Sequence, residues 1–304
     1  MSFARLQEKI DKSRNPTVVG LDPDLAHIPE LILEKHIKEA GETLEAAAHA
    51  ALEFGVGLID ALCDIVPAVK PQSAYYEMLG PHGVLAMKIT CDYAKSKGMY
   101  VIVDGKRNDI GSTAAAYSAA YLGTVTVGSS EHFPFDADAL TVNAYLGSDG
   151  LKPFQDMAAK HDKAIFALVK TSNPSAGELQ DLYVDERTVY TAVGDLLEEI
   201  ALDTVDDYGY THIGAVVGAT YPEEAQFLRK RLKNTFFLVP GYGAQGGSAD
   251  DVVHSFDENG RGAIVNSSRG IIAAWKKRGG DHMAAAREEA LLMRDKLRKV
   301  LSLR

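Results

Sequence analysis

The feature that most constrains the fold of this chain is a series of short apolar runs, rich in β-branched residues, that recurs along its length. The runs are continuous rather than alternating, which is typical of strands buried on both faces of a parallel sheet. We predict eight strands, at residues 17–22, 65–70, 99–104, 139–144, 164–169, 212–219, 235–240 and 262–267. Stretches with helical spacing, such as residues 44–62 and 222–233, separate them.

This alternation over 304 residues predicts an α/β protein that folds as a single (β/α)8 TIM barrel. A doubly wound sheet is the alternative, because strands are easily miscounted from a sequence. We expect one domain spanning residues 1–304, with an amphipathic N-terminal helix at residues 2–12 and a closing C-terminal helix at about residues 281–301. We predict that insertions relative to a minimal barrel lie near residues 26–43, 128–137 and 177–200.

The charge balance narrows the classes of partner. With 32 Lys and Arg against 42 Asp and Glu, the net charge is −10 at pH 7. This disfavours nucleic acid and anionic membranes as partners, whose binding depends on Lys and Arg, but leaves a local basic pocket for a small anion open. The N-terminus lacks an apolar signal segment, so we expect a cytoplasmic protein. Cys63 and Cys91 match no metal or redox spacing, and we place both in the core.

Polar and charged side chains concentrate at the predicted carboxyl ends of the strands. In a (β/α)8 barrel these ends form the rim of the active site. The residues there are Asp22, Lys70, Asp104, Lys106, Asn143, Thr171, Ser172, Gln245 and Arg269. Turn-forming residues alone would not account for two lysines and two aspartates on one apolar rim, so we interpret the set as a functional site.

The segment DGKRND, residues 104–109, holds the most informative part of this set. Residues i and i+2 of an extended chain point to the same side, so Asp104 and Lys106 are expected side by side. Lys70 from the neighbouring strand and Asp109 extend the pair to a Lys-Asp-Lys-Asp array. Because buried charges persist only when paired, the array predicts charges held around a reactive centre. A surface charge run at the start of a helix is the alternative.

The glycine-rich loop GYGAQGG, residues 241–247, matches the pattern G-x-G-x-x-G. The match is weak as a dinucleotide fingerprint, because the loop follows the seventh strand rather than opening a first βαβ unit. We predict instead a phosphate-binding loop in which Gln245 and Arg269 donate to the phosphate, at the usual phosphate site of barrels. A plain glycine turn beside a surface arginine is the alternative.

The sequence gives no support for a bound metal. None of the nine histidines forms a cluster with metal-ligand spacing. Two lysines in the charged array would also repel a divalent cation. We therefore predict a metal-free site.

Together these motifs resemble the orotidine 5′-phosphate decarboxylase family, most of all its longer bacterial subgroup (type 2). The resemblance rests on VGLDPD (19–24), VKPQSAYYE (69–77), IVDGKRNDIGSTA (102–114), TVNAYLG (141–147), LVKTSNPS (168–175), VGATYPEE (217–224) and VPGYGAQGG (239–247). The D-x-K-x-x-D core is shared with sugar-phosphate decarboxylases and synthases of the same superfamily, whereas KTSNPS and PGYGAQGG are more specific. The resemblance implies a homodimeric TIM barrel that converts orotidine 5′-phosphate to UMP and carbon dioxide without a cofactor.

The resemblance also implies a role for each site residue. Lys106 would donate the proton to C6 of the pyrimidine, flanked by Asp104 and Lys70. Asp109 would come from the partner subunit, accompanied by Thr113, which we expect four residues further along the same helix face. The remaining substrate contacts would be Asp22 and Lys70 to the ribose, Ser172 to the pyrimidine, Gln245 and Arg269 to the phosphate, with Asn143 and Pro240 completing the set. Many relatives have Gly before the phosphate arginine, where this chain has Ser268.

Two other functions stay open at this point. One is a metal-dependent sugar-phosphate decarboxylase or synthase on the same barrel, which sensitivity to EDTA would favour. The other is a UMP-binding barrel without catalysis, although simple binding does not require a buried array of charges.

Overall fold

The computed structural model describes residues 1–201, 205–243 and 245–302. It contains a closed barrel of eight parallel strands, in which each strand pairs with its sequence neighbours and the first pairs with the last. The strands are β1 Thr17–Leu21, β2 Ala68–Pro71, β3 Tyr100–Arg107, β4 Ala139–Val142, β5 Ala164–Lys170, β6 Ile213–Val217, β7 Phe236–Val239 and β8 Ala263–Ser267. The predicted TIM barrel is confirmed, and the doubly wound sheet is wrong.

One helix precedes the first strand, and the others follow the strands in the chain and surround the barrel. The helices are α1 Ser2–Ser13, α2 Glu30–Ala40, α3 Leu44–Leu62, α4 Ser73–Glu77, α5 Gly80–Ser96, α6 Gly111–Leu122, α7 Gly147–His161, α8 Val189–Ala201, α9 Pro222–Arg231, α10 Ala249–Val252, α11 Arg269–Ile272, α12 Trp275–Arg278 and α13 His282–Leu301. Among the described residues, short 3₁₀ helices lie at Leu25–His27, Pro174–Glu178 and Val253–Ser255. Within the described ranges, no helix is both long and apolar enough to cross a membrane.

The strands are apolar throughout because both of their faces are buried. In β5, Phe166 packs in the cluster inside the barrel, whereas its neighbours Ile165 and Ala167 pack in the cluster between the strands and the helices. An alternation of apolar and polar residues would require one solvent-exposed face, and these strands have none. The continuous apolar runs of the sequence thus indicate that both faces of each strand are buried.

The N-terminal helix α1 closes the amino-terminal end of the barrel. Its Phe3 ring stacks on Phe236, with centroids 5.0 Å apart, and meets Phe166 at the same distance. Ser2 is fully buried and its hydroxyl lies 2.7 Å from the Tyr100 hydroxyl. The predicted helix at residues 2–12 is therefore present and completes the barrel interior.

Several predicted strand boundaries are wrong, for identifiable reasons. The second strand does not include Ile65 and Val66, whose backbone amides instead bond to the Leu62 carbonyl in a turn after α3. Both side chains are buried, so their apolar character reflects packing rather than extended backbone. The third strand continues three residues beyond Asp104, and the fourth ends at Val142.

The three predicted insertions have different structures. Residues 26–43 hold α2, and the first half of the second region belongs to an antiparallel hairpin, with Val125–Val127 paired to Ser130–His132. The third prediction, residues 177–200, is partly wrong because α8 packs on β5 and β6 as an ordinary barrel helix. The additional length there lies before Val189 and includes the hairpin of Tyr183–Val184 with Arg187–Thr188.

Candidate active site

A cavity of about 730 Å³ opens at the carboxyl ends of the strands. Its lining brings together residues from both halves of the barrel. Those predicted from the sequence are Asp22, Lys70, Asp104, Lys106, Thr171, Ser172, Pro240 and Gln245. Further lining side chains include Gln72, Thr141, Gln180, Asn266 and Ser268.

Asp104 is the centre of the charged cluster. Its Oδ2 accepts from Lys70 Nζ at 2.7 Å, and its Oδ1 accepts from Lys106 Nζ at 2.6 Å. The expectation that Asp104 and Lys106 lie side by side is met, and Lys70 joins them from the adjacent strand. One carboxylate therefore holds two ammonium groups at the mouth of the barrel.

Two neutral side chains that sequence reasoning missed complete the contacts of Asp104. Gln72 Nε2 donates to Oδ2 at 2.8 Å, and the buried hydroxyl of Thr141 donates to Oδ1 at 2.8 Å. Gln72 follows Lys70 by two residues, so the alternation of an extended chain could have identified it. Thr141 could not have been found in this way, because its place beside Asp104 depends on the register between β3 and β4.

The backbone at Lys106 departs from the extended conformation assumed from the sequence. Its φ is +46°, a left-handed value that is uncommon for a residue with a side chain. The pairing of β3 with β4 shifts between Val103 and Arg107, as in a bulge that redirects a side chain. The Lys106 amide donates to Thr141 Oγ1 at 3.0 Å, which supports this conformation. The two side chains thus meet through a bulge, not through plain alternation.

Burial and charge act against each other in this cluster. Burial disfavours the ionised carboxyl of Asp104, but Lys70 and Lys106 outweigh it and hold the pKa of Asp104 well below its usual range. Burial likewise opposes the charge of Lys70, and the carboxylates of Asp104 and Asp22 outweigh it, so the pKa of Lys70 is raised. Asp104 and Lys70 are therefore a charged pair at neutral pH. The Lys106 side chain is 48% exposed and faces the open cavity.

Asp22 follows β1 and lies on the same rim. Its Oδ1 is buried and has no hydrogen-bond partner in the part of the chain that the structure describes. A buried carboxylate oxygen without a donor is costly. The arrangement thus suits a ligand that presents a hydroxyl donor at this point.

The opposite wall is formed by the ends of β5, β6 and β7. Ser172 Oγ donates to Gln245 Oε1 at 2.7 Å, which joins the loop after β5 to the glycine-rich loop. Gly218 makes this approach possible, because a Cβ there would lie 2.8 Å from the backbone nitrogen of Ser172. Gly241, at φ +100°, lies next to the same serine.

Two of the predicted residues lie outside the cavity lining because of local backbone structure. Asn143 follows β4, and its Oδ1 accepts from the Tyr145 amide at 3.0 Å, so the side chain caps a turn. Arg269 begins α11, is exposed, and forms no ion pair with any described residue. Its guanidinium is free to bind an anion at the end of β8.

The two residues expected from a partner subunit also lie outside the lining of this chain's own cavity. Asp109 Oδ1 accepts from the Ile110 amide at 2.8 Å, and Thr113 is exposed on α6. The expectation that they share a helix face is wrong, because α6 begins at Gly111 and Asp109 precedes it. Of the Lys-Asp-Lys-Asp array, this chain assembles the first three members.

Within residues 1–201, 205–243 and 245–302, no three His, Cys, Asp or Glu side chains are grouped so that they could hold a metal ion. The charged cluster of the cavity instead pairs the carboxylate of Asp104 with the ammonium groups of Lys70 and Lys106. Cys63 and Cys91 are both free thiols, and only Cys91 is fully buried as predicted.

Comparison with known proteins connects this geometry to one family. The sequence profile of the orotidine 5′-phosphate decarboxylase / HUMPS family matches residues 34–280. Orotidine 5′-phosphate decarboxylase from Rhodopirellula baltica is 48% identical over 278 residues, covering 91% of this chain and 90% of that protein. The Clostridium botulinum (strain Hall) enzyme of the same name is 39% identical over 303 residues, 98% and 99% of the two chains. The structure of Leishmania donovani OMP decarboxylase matches with a TM-score of 0.71 at 30% identity, covering 97% and 99%.

Proposed function

The chain belongs to the orotidine 5′-phosphate decarboxylase / HUMPS family and catalyses the decarboxylation of orotidine 5′-phosphate to UMP in pyrimidine biosynthesis, and we propose that Lys106 delivers the proton to C6 of the pyrimidine. The observation that carries this proposal is the ammonium group of Lys106, held 2.6 Å from Asp104 and facing the cavity. A cation fixed in advance at the point where negative charge develops is an effective catalyst.

The chemical step follows from this placement. The bond between C6 and the carboxylate breaks, its electron pair stays on C6, and carbon dioxide leaves. The ring delocalises this charge poorly, so the ammonium of Lys106 stabilises it and transfers a proton to C6 to give UMP. Lys106 then regains a proton from solvent. Asp104 and Lys70 hold the ammonium in position and keep the local charge balanced.

Other side chains of the cavity each contact a different part of the substrate. Asp22 and Lys70 contact the ribose hydroxyls, which supplies the missing donor at Asp22 Oδ1. Ser172 and Pro240 contact the pyrimidine, since both line the wall opposite Lys106. The phosphate binds to Gln245 and Arg269 beyond the ends of β7 and β8. Asn143 contributes to substrate binding indirectly, because its side chain caps the turn that follows β4.

The first test is the decay of orotidine 5′-phosphate absorbance with protein that has been treated with EDTA. Undiminished conversion to UMP supports a metal-free reaction, whereas activity that returns only with magnesium would overturn it. Lys106→Ala should abolish turnover and leave UMP binding measurable. Turnover within about tenfold of wild type would remove Lys106 from the chemistry, because proton donors typically contribute 10²–10⁴-fold.

We further propose that the active site is completed by Asp109 and Thr113 of a second copy of the chain. Neither residue lines this chain's own cavity, and apolar side chains near them are exposed. Those side chains are Ile110, Tyr117, Tyr145 and Leu146. A two-fold dimer that covers them would place each Asp109 toward the neighbouring Lys106.

Mixed subunits test this proposal directly. Lys106→Ala and Asp109→Ala proteins are each inactive if the site is shared, but a heterodimer of the two contains one intact site. Unfolding and refolding an equimolar mixture should recover about a quarter of wild-type activity, from random pairing of subunits. No recovery, in a mixture shown to be dimeric, would contradict the shared site. A monomer in sedimentation would do the same.

We also propose that residues 1–304 act as one domain in the cytoplasm. The support is the closure of one barrel by both ends of the chain and the presence of two free thiols. Free cysteines are usual in a reducing compartment.

A further inference from the structure

The end of β5 carries a lysine that the proposed mechanism does not use. Lys170 is fully buried, with 0% of its side chain exposed. A bulge in the pairing of β5 and β6 places it opposite Val217, which packs outside the barrel, whereas Leu168 two residues earlier lines the cavity. The bulge therefore turns a charged side chain into the layer between the strands and the helices.

The surroundings of Lys170 are built to hold a cation. Its ammonium forms an ion pair with Asp181 and lies over the rings of Tyr221 and Tyr190, at 4.3 and 5.3 Å from their centroids. Cation–π contacts and a carboxylate together offset the cost of burying the charge. Asp181 comes from the additional segment that precedes α8, so the ion pair ties that segment to the barrel.

A second contact lies directly beside the first. The side-chain amide of Gln180 accepts from the Thr171 backbone amide at 2.9 Å and donates to Thr171 Oγ1 at 2.7 Å. Thr171 Oγ1 in turn donates to Asn173 Oδ1 at 2.6 Å. Residues 170 and 171 are thus paired with residues 181 and 180, and the two pairs close the loop between them.

This closed loop is a wall of the active site. Thr171, Ser172, Asn173, Pro174 and Gln180 all line the cavity. Ser172, the residue assigned to the pyrimidine, follows Lys170 by two positions. The stem of the loop therefore fixes where Ser172 stands relative to the substrate.

We propose that Lys170, Asp181 and Gln180 are positioning residues, which hold residues 171–182 in the conformation that binds the substrate. The proposal assigns a role to the additional segment before α8 and rests on the proposed contact of Ser172 with the pyrimidine. When only a fraction of molecules has the competent loop, apparent affinity falls by that fraction, while turnover at saturation is unchanged. Loss of the ion pair should therefore raise KM and the Kd of UMP together and spare kcat.

The test compares Asp181→Asn with Asp185→Asn. Both substitutions remove one negative charge from the same segment, but Asp185 forms no ion pair within the described ranges, and its left-handed φ of +56° also suits Asn. We expect Asp181→Asn to raise KM for orotidine 5′-phosphate and the Kd of UMP by about tenfold, with kcat within about threefold of wild type. Asp185→Asn should match wild type in all three.

Lys170→Met adds a second, independent measurement because it removes the charge and keeps the apolar stem. If the two residues act as a pair, Lys170→Met/Asp181→Asn should raise KM no more than the larger single effect. Thermal unfolding without ligand separates positioning from stability. A lower Tm with unchanged KM and Kd would show a merely structural role and overturn the proposal, as would a fall in kcat with KM unchanged. Inactivity of the wild type would instead refute the proposed function.

Discussion

Thr141 offers the sharpest test of how the reactive lysine is held. Its hydroxyl donates to Asp104 Oδ1 at 2.8 Å and accepts from the Lys106 amide at 3.0 Å, and the residue is 1% exposed. Thr141→Val removes both hydrogen bonds and keeps the shape of the side chain. It leaves Asp104 with three other donors, so the cluster loses support without losing its charges.

The magnitude follows from the two bonds. A hydrogen bond to a charged group contributes about 1.5–3 kcal/mol, and an amide left without a partner costs about 1–3 kcal/mol, less where solvent reaches it. We therefore expect the free energy of unfolding to fall by about 2–4 kcal/mol and Tm by roughly 3–6 °C. Because the left-handed backbone of Lys106 loses its support, kcat should fall about 10- to 100-fold.

Denaturant unfolding and the decarboxylation assay measure the two effects. Thr17→Val is the matched control, since Thr17 is also buried in a barrel strand but its hydroxyl has no partner among the described residues. That variant should be neutral or slightly stabilising, because it removes an unsatisfied polar group. If Thr141→Val and Thr17→Val agree within about 0.5 kcal/mol and both keep full kcat, the hydrogen bonds to Thr141 contribute nothing and the reasoning fails.

Three further predictions concern other parts of the site. Arg269→Ala should weaken UMP binding and leave uridine binding unchanged in calorimetry; equal UMP affinity would count against the phosphate role. Because Lys70 and Lys106 depress the pKa of Asp104 in the folded state, its ionised carboxylate stabilises the fold above the unfolded pKa near 3.9, and this stabilisation is lost on acidification. Between pH 5 and pH 3, the free energy of unfolding should therefore fall by about 1 kcal/mol more in the wild type than in Asp104→Asn. Identical declines of the two proteins in denaturant titrations would refute this. Gly218→Ala places a Cβ against the Ser172 backbone and should raise KM at least several-fold, whereas Gly55→Ala, whose Cβ meets its nearest atom at 3.6 Å, should leave KM unchanged.

The sequence was most informative where one residue type determines the structure by itself. Continuous apolar runs required two-sided burial, so the barrel and the rim positions of Lys70 and Asp104 could be predicted. Thr141 and the outward turn of Lys170 could not, because both depend on registers between strands and on bulges that the sequence does not mark. The third insertion was overestimated because it included α8, which packs on β5 and β6 as an ordinary barrel helix, and this packing depends on tertiary contacts.

Predicted contacts within one chain and between chains also differ in kind. The pairing of Asp104 with Lys106 needed only two nearby residues, and the structure contains it. The proposed role of Asp109 requires a second copy of the chain, and local spacing could supply neither its position before α6 nor the partner surface that the proposal needs at Ile110. Such residues are accessible to sequence reasoning only through resemblance to a family.

The joining of β1 to β8 has a consequence for how the molecule is made. Thr17 pairs with Val265, and the Val265 amide bonds to the Pro16 carbonyl, so closure unites residues about 250 positions apart. During synthesis, one edge of β1 stays unpaired until nearly the whole chain has left the ribosome. Contacts of such long sequence separation fold slowly, and unpaired edges recruit other strands. A chain terminated before Ala263 would keep two open strand edges and would lack α13, which packs on α3, so it should aggregate rather than fold into a smaller enzyme.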